Sequence, residues 1–226
     1  MDLPVIPVPR AAADVDGSDP ATLAAALMQS RQTILPKRLL APGPDARQLG
    51  MILGAAASAP DHGQLLPWRF VLVPQAGRDR LADVFAAALL ARDPLASPGD
   101  VAQSREKAYR APLLMLAVVD AARGDAQIDL SERTVSAGCA IQNMLLMATA
   151  LGFGSALTSG KALKSAGLRA LFRLTDSEHA LCFVSIGTAC SRKPARLRPA
   201  PQDFVSHLGS GGSATEREPP DFPCSL

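Results

Sequence analysis

Three histidines, four cysteines, one tryptophan and one tyrosine are all that 226 residues supply of the side chains most used for metal, thiol and aromatic chemistry. Cys139, Cys182, Cys190 and Cys224 form no C-x-x-C pair, which argues against a structural zinc site. Cys139 and Cys182 lie in apolar segments and read as small hydrophobes, so no cysteine is assigned chemistry. Charge of one sign is also lacking. Twenty-three Lys and Arg against 21 Asp and Glu leave a formal net charge of +2, too balanced for counterion-release binding to nucleic acid. Long apolar runs are missing as well. The longest, Val84 to Ala91, has eight residues, whereas crossing a bilayer takes roughly 20. The first 20 residues carry four aspartates and no basic start before an apolar stretch, so they do not read as a secretory signal. The expectation is a cytoplasmic protein with no membrane and no nucleic-acid partner.

Several nucleotide and hydrolase motifs are absent too. Gly152-Phe153-Gly154 opens like a dinucleotide fingerprint, but Leu157 stands where a third glycine is required, and the segment follows a helix instead of a strand. Gly154 to Ala162 approaches a phosphate-binding loop, yet five residues separate its glycines and Ala162 replaces the magnesium-binding hydroxyl. No G-x-S-x-G occurs, which closes the nucleophilic-serine route.

What is present is a core: 48% of residues are hydrophobic, ample for one large domain. Residues 1–17 and 209–226 lack hydrophobic periodicity and are expected to be flexible extensions around a folded domain at 18–208. Ser18 or Asp19 caps a first helix with Pro20 at its start, and a second runs from about Asp45 to Ser58. Helices are expected over Asp79–Ala91 and from Ser97-Pro98 to about Tyr109. Trp68–Val73, Leu113–Val119 and Ala180–Gly187 read as strands, the last two too uniformly apolar for a sheet with one wet face. Ser155–Ser159 reads as a short extended segment leading to a helix at Lys161. Thr134–Leu151 has no polar face. A helix of about 27 Å that is apolar all round finds its cover at a two-fold subunit interface or at the centre of a monomer. Helices outnumber strands without regular alternation, so the class is α+β around a small sheet.

Two segments carry more than structure. Ser30-Arg31-Gln32-Thr33 ends the first helix. An arginine beside a hydroxyl suits a phosphate, and equally an arginine at a helix C-terminus complements the dipole. Ala59-Pro60-Asp61-His62-Gly63-Gln64-Leu65-Leu66-Pro67-Trp68-Arg69-Phe70 is a polar loop pinned by two prolines. His62 there could donate to an anion or a ring carbonyl, or be a surface loop histidine.

These two segments, with Ser136-Ala137-Gly138-Cys139-Ala140-Ile141-Gln142-Asn143 running to Gly152-Phe153-Gly154-Ser155, resemble the nitroreductase family of FMN-dependent oxidoreductases, in the family's block order and over about residues 22–200. The Ala-Pro-Asp-His loop is similar to that of the smallest bacterial members. The resemblance implies a three-layer α/β/α sandwich with a small, mainly antiparallel sheet flanked by helices, in a homodimer. It implies FMN as cofactor, NADH or NADPH as donor, and a small electron-poor acceptor such as a nitroaromatic or quinone, reached by a ping-pong mechanism. The alternative is a dimeric flavin-binding protein without turnover. By resemblance, Arg31, Gln32 and Thr33 bind the FMN phosphate and ribityl chain, Ser58 and His62 contact FMN from the loop, and Leu157, Thr158 and Ser159 contact it from the other subunit. Met147, Ala148, Thr149, Ala150, Leu151 and Gly152 match a stretch associated with the nicotinamide, and Arg196 completes the phosphate site. Gln32 stands where the family has a second arginine, Leu66 replaces a glutamine before Pro-Trp, and Thr158 replaces a basic residue. No residue is assigned as a catalytic acid or base, because the cofactor carries the chemistry, and no metal is expected.

Overall fold

A computed structural model describes residues 19–191 and 198–206. The expected extensions, 1–17 and 209–226, lie outside the described residues. One compact unit runs through Arg192 and a second begins at Lys193. The described part of the second, 198–206, holds one 3-10 turn, Pro201–Asp203.

Helix α1, Pro20–Ser30, starts where Asp19 accepts from the backbone N–H groups of Ala21 and Thr22. A two-residue strand β1, Leu39–Leu40, follows. Helix α2, Ala46–Ala56, opens with a reciprocal cap in which Asp45 accepts from the Gln48 N–H and the Gln48 side chain accepts from the Asp45 N–H. Then come β2, Trp68–Leu72, α3, Arg78–Arg92, and α4, Pro98–Glu106, which tightens into a 3-10 turn at Lys107–Tyr109. Strand β3 spans Leu113–Asp120. Helix α5, Leu130–Ala150, is capped by Asp129 and starts four residues before the expected Thr134. Strand β4, Gly154–Thr158, leads to a 3-10 turn at Lys161–Lys164 and to α6, Ala166–Leu171. Strand β5, Glu178–Ala189, is longer than its apolar stretch suggested.

All named pairings are antiparallel, in the order β1-β5-β3-β2 with β4 also on β5. Because Val184 pairs with Met115 of β3 and with Leu157 of β4, those strands occupy opposite edges of β5. Alternation along the central strands sends side chains to two cores. Met115, Ala117, Cys182, Val184 and Ile186 meet α2 and α5 on one face. Leu114, Leu116, Val118 and Phe183 meet α3 and α6 on the other. This is the three-layer α+β arrangement the sequence implied, with both sheet faces covered.

Helix α5 removes one of its two expected covers, the centre of a monomer. Ser136, Ala137, Ala140, Ile141, Met144, Leu145 and Ala148 are buried, but Val135 is 66% exposed and Gly138 and Gln142 are exposed with it, so the single chain covers only one side. Helix α1, apolar in sequence, buries none of its residues. Cys182 is buried, which pushes its thiol up to about 11, whereas Cys139 is only half-buried and Cys190 is exposed.

Candidate functional site

The end of α5 sets one half of the site. Gly152 has φ +86°, and the Phe153 and Gly152 N–H groups donate to Ala148 and Thr149 carbonyls, each at 2.9 Å. This left-handed glycine closes the helix and turns the chain into β4. Two residues on, a Cβ at Gly154 would lie 2.8 Å from Leu39 Cδ2 and 3.0 Å from Ile34 Cγ1, so glycine permits the 33–39 segment to lie against β4. Thr33 bridges to Ser155, and the Ile34 N–H donates to the Ser155 carbonyl at 2.9 Å. Arg31, Gln32 and Thr33 are thereby brought beside the strand that carries Leu157 and Thr158 and leads to Ser159, all three exposed.

Beyond them opens a cleft of about 390 Å³, within the usual range for small-molecule sites of about 300–1,000 Å³. Leu35, Pro36, Thr158 and Ser159 line it, its floor includes the buried Leu114, Phe183 and Ser185, and Arg92, Lys107, Arg110 and Lys161 supply positive charge. Among the described residues no carboxylate lines it, and Arg110 is paired to Glu106 at 2.7 Å. Sequence reasoning missed Lys107 and Arg110. Their signal was a Lys-x-x-Arg step just before an apolar strand, which reads as an ordinary solvated helix end.

The second half lies elsewhere. Ser58, exposed, follows α2, and the 61–66 loop packs on the start of α5. Asp61 Oδ2 accepts the Leu66 N–H at 2.6 Å, and Gly63, Gln64 and Leu66 have φ of 65°, 53° and 49°. Such a loop is held, because non-glycine residues at positive φ persist only when their surroundings impose it. Its buried Asp61 Oδ1 has no hydrogen-bond partner among the described residues. His62 Nδ1 lies 2.5 Å from Glu132 Oε1 of α5, and Trp68 Nε1 donates to Ser136 Oγ at 3.0 Å.

The sheet keeps the halves apart. Trp68 sits at the level of His179 on β5 through Val119, whereas Ser155 faces Ile186. Three strand spacings of about 4.8 Å separate β4 from β2, with roughly 20 Å more along the strands. Within one chain, His62 does not meet Arg31 or Thr158.

The proposed nicotinamide stretch forms the end of α5 and its exit. Ala148 is buried, Met147 and Leu151 pack on the same core, the Thr149 hydroxyl donates to the Leu145 carbonyl at 2.8 Å, and Ala150 and Gly152 are exposed. Arg196 lies outside the described residues.

Two buried arginines whose described hydrogen bonds all run to backbone carbonyls stiffen the two halves. Arg78, 2% exposed, donates to carbonyls of Val73, Ala108, Arg110, Ala111 and Pro112, and burial lowers its pKa below the ordinary guanidinium value. Arg133, 1% exposed, donates to those of Asp120, Arg123, Asp125 and Ile128. Across the sheet, Arg69 of β2 binds Glu178 of β5 through two contacts, 2.5 and 3.0 Å, and this guanidinium holds the Glu178 carboxyl below its usual range.

The Nitroreductase family sequence model matches residues 29–188, spanning both halves. The chain belongs to the nitroreductase family. A Haemophilus influenzae protein assigned by name to the NAD(P)H nitroreductases is 32% identical over 173 residues, covering 76% of this chain and 93% of that protein. Among solved structures, a nitroreductase-like family protein from Bacillus cereus superposes with a TM-score of 0.67 at 18% identity, covering 81% of this chain and 95% of that one. The FMN- and NADPH-dependent nitroreductase NfnB from Sphigopyxis sp. strain HMH gives 0.64 at 19% identity, covering 82% and 99%. The nitroreductase fold thus accounts for the antiparallel sheet and its two helical layers. Among the described residues no helix is long and apolar enough to cross a membrane, and no cluster of His, Cys, Asp and Glu could hold a metal ion.

Proposed function

We propose that this protein is an FMN-dependent oxidoreductase that passes electrons from NADH or NADPH to a small electron-poor acceptor, such as a nitroaromatic or quinone, in a ping-pong cycle. The observation that carries the reading is the carboxylate-free, basic cleft beside the Thr33–Ser155 bridge. A cleft of about 390 Å³ fits a flat heterocycle, and its positive lining fits an anionic cofactor. Arg31, Gln32 and Thr33 would hold the phosphate and ribityl chain, and Leu157, Thr158 and Ser159 would lie along the ring. FMN, when bound, would supply the two-electron chemistry. The chain's own task is to bind, orient and stabilise charge. The exposed Thr158 and Ser159 offer hydroxyl donors, and Lys107, with Arg92 and Lys161, lowers the free energy of negative charge gathered in the cleft. No side-chain acid or base is required.

The same reading makes the protein a homodimer with composite sites, with the subunits' shares revised: because Arg31, Gln32 and Thr33 lie beside the strand carrying Leu157 and Thr158 in one chain, Ser58 and His62, and not Leu157, Thr158 and Ser159 as the resemblance implied, would serve the flavin held by the other subunit. Its support is the separation of the two halves by the sheet, the exposed side of α5 around Val135, and an apolar α1 that buries nothing. In the 147–152 stretch, the exposed Ala150 and Gly152 are the positions a nicotinamide dinucleotide could reach.

An absorption spectrum of the purified protein, or of protein incubated with FMN, tests the cofactor. NADH or NADPH should then bleach the bound flavin and a quinone or nitroaromatic should restore it. Bound flavin that neither donor bleaches would establish the alternative, a flavin-binding protein without turnover, and protein that takes up no FMN would overturn both.

A further inference from the structure

We infer that Glu132 is a positioning residue that fixes the tautomer and direction of His62, so that His62 Nε2 is presented outward to a hydrogen-bond donor of the flavin. The inference rests on the cofactor reading above and deepens it.

Three observations carry it. The first is the contact itself: Nδ1 of His62 lies 2.5 Å from Oε1 of Glu132, seventy positions away in sequence. An ionised carboxylate only accepts, so the proton of the neutral ring must sit on Nδ1. That is the reverse of the ordinary preference of a neutral histidine side chain. Nε2 is then left as an acceptor, suited to a ribityl hydroxyl or the ring N3–H of a flavin.

The second is that the pair is too exposed to add much stability. The side chains are 65% and 49% exposed, and even fully charged pairs so exposed are worth only about 0–1 kcal/mol. What a contact of this kind does is restrict one ring to one orientation, which lowers the entropy lost when a ligand docks on it.

The third is that the backbone under His62 is held as firmly as its ring. Asp61 accepts the Leu66 N–H across the loop at 2.6 Å, and Gly63, Gln64 and Leu66 adopt left-handed conformations. On the other side, Glu132 stands one residue before Arg133, whose guanidinium is tied to four carbonyls. Both ends of the His62–Glu132 contact therefore rest on rigid supports. The other charged groups lining this small recess are Asp61 and Arg133. The described bonds of Arg133 all run to carbonyls, which leaves Glu132 as the carboxylate on the ring.

The test has two readouts on the intact, FMN-loaded protein. With only three histidines in the chain, long-range proton–nitrogen NMR can resolve each ring, and His62→Ala assigns the relevant one. About two pH units above the ordinary imidazole value of about 6.5, wild-type His62 should carry its proton on Nδ1, and Glu132→Gln should move a major fraction to Nε2. In parallel, His62→Ala and Glu132→Gln should each weaken FMN binding by about threefold to tenfold, the range of one net hydrogen bond. The double variant should be no weaker than His62→Ala, because Glu132 acts only through His62. A wild-type ring protonated on Nε2, or additive losses in the double variant, would overturn the inference while leaving FMN as cofactor. Failure of the wild type to take up FMN would overturn the cofactor reading along with it.

Discussion

Arg78 and Arg133 are buried alike and bound by the same chemistry, a guanidinium spread over backbone carbonyls, yet each supports a different half of the site. Arg78 gathers the turn between α4 and β3 and so places Lys107 and Arg110 at the cleft. Arg133 gathers the 120–128 segment at the start of α5 and so places Glu132 against His62. The cleft half offers volume and diffuse positive charge, much of it from long flexible side chains. The loop half offers one directed ring on a strained, well-anchored backbone. Neither resembles a complete site, and the sheet between them prevents one chain from combining them. The proposed two-subunit site rests on that separation more than on any single residue.

Removing either anchor should produce the largest effects. Arg78→Ala strips several buried carbonyls of their donor, and unfolding in urea should show a loss of about 3–5 kcal/mol. Arg133→Ala should be comparably destabilising. If the halves are separately supported, hydrogen exchange in Arg78→Ala should rise first around 105–112, and in Arg133→Ala around 120–132. Equal loosening of both regions would show that the division is false.

Next in size is Arg31→Ala. Charge-assisted bonds to a phosphate are worth about 1.5–3 kcal/mol, so FMN affinity should fall roughly ten- to a hundredfold, while riboflavin, which lacks the phosphate, binds both proteins almost equally. Lysine should restore only part of the loss. Fluorescence titration with both flavins separates a phosphate role from general misfolding, which would weaken riboflavin as well.

A smaller effect links the halves through the sheet. Arg69 holds Glu178 ionised below the ordinary glutamate value of 4.5. A carboxylate with a depressed folded pKa stabilises fully above that value and loses its contribution as pH falls through the folded one. Glu178→Gln should therefore be less stable than wild type at neutral pH by about 1–2 kcal/mol, and the gap should close as the pH falls from 4.5 through the lowered folded value. A gap independent of pH would assign the loss to packing.

The fold was largely legible because its signals are local. Asp45 with Gln48, Ser97 with Pro98, and the apolar runs of β2, β3 and β5 each announce an element at short range. Strand β1 was not, since two residues, Leu39 and Leu40, carry no pattern, and their pairing with β5 needs glycine at 154 and 187, where a Cβ would press on Leu39 and on the Leu40 carbonyl. The start of α5 was missed for the opposite reason: Ser131, Glu132 and Arg133 look like a polar linker, although Asp129 three residues before Glu132 is a capping signal. The buried arginines were invisible, because a guanidinium caged by carbonyls leaves no charge partner in the sequence. The candidate site blocks are read only by resemblance, and that Arg31 and Thr158 fall at one edge of the sheet and His62 at the other is a matter of strand order, which no local pattern encodes.

The smallest expected effect concerns the helix exit. Gly152→Ala places a side chain at φ +86° and should cost about 1 kcal/mol, read as a small fall in unfolding midpoint with FMN affinity little changed. A large loss of affinity would show that the turn itself belongs to the binding surface.

Mixed dimers test the two-subunit site most directly. Arg31→Ala and His62→Ala subunits, differently tagged, can be combined and the mixed species isolated. If each flavin takes Arg31 from one subunit and His62 from the other, one site of the mixed dimer carries both defects and the other carries none. FMN titration should then show one site of wild-type affinity per mixed dimer, although neither parent homodimer has any. Two weakened sites, one with the affinity of each parent homodimer and none of wild-type affinity, would place both residues on the same flavin within one chain and contradict the account.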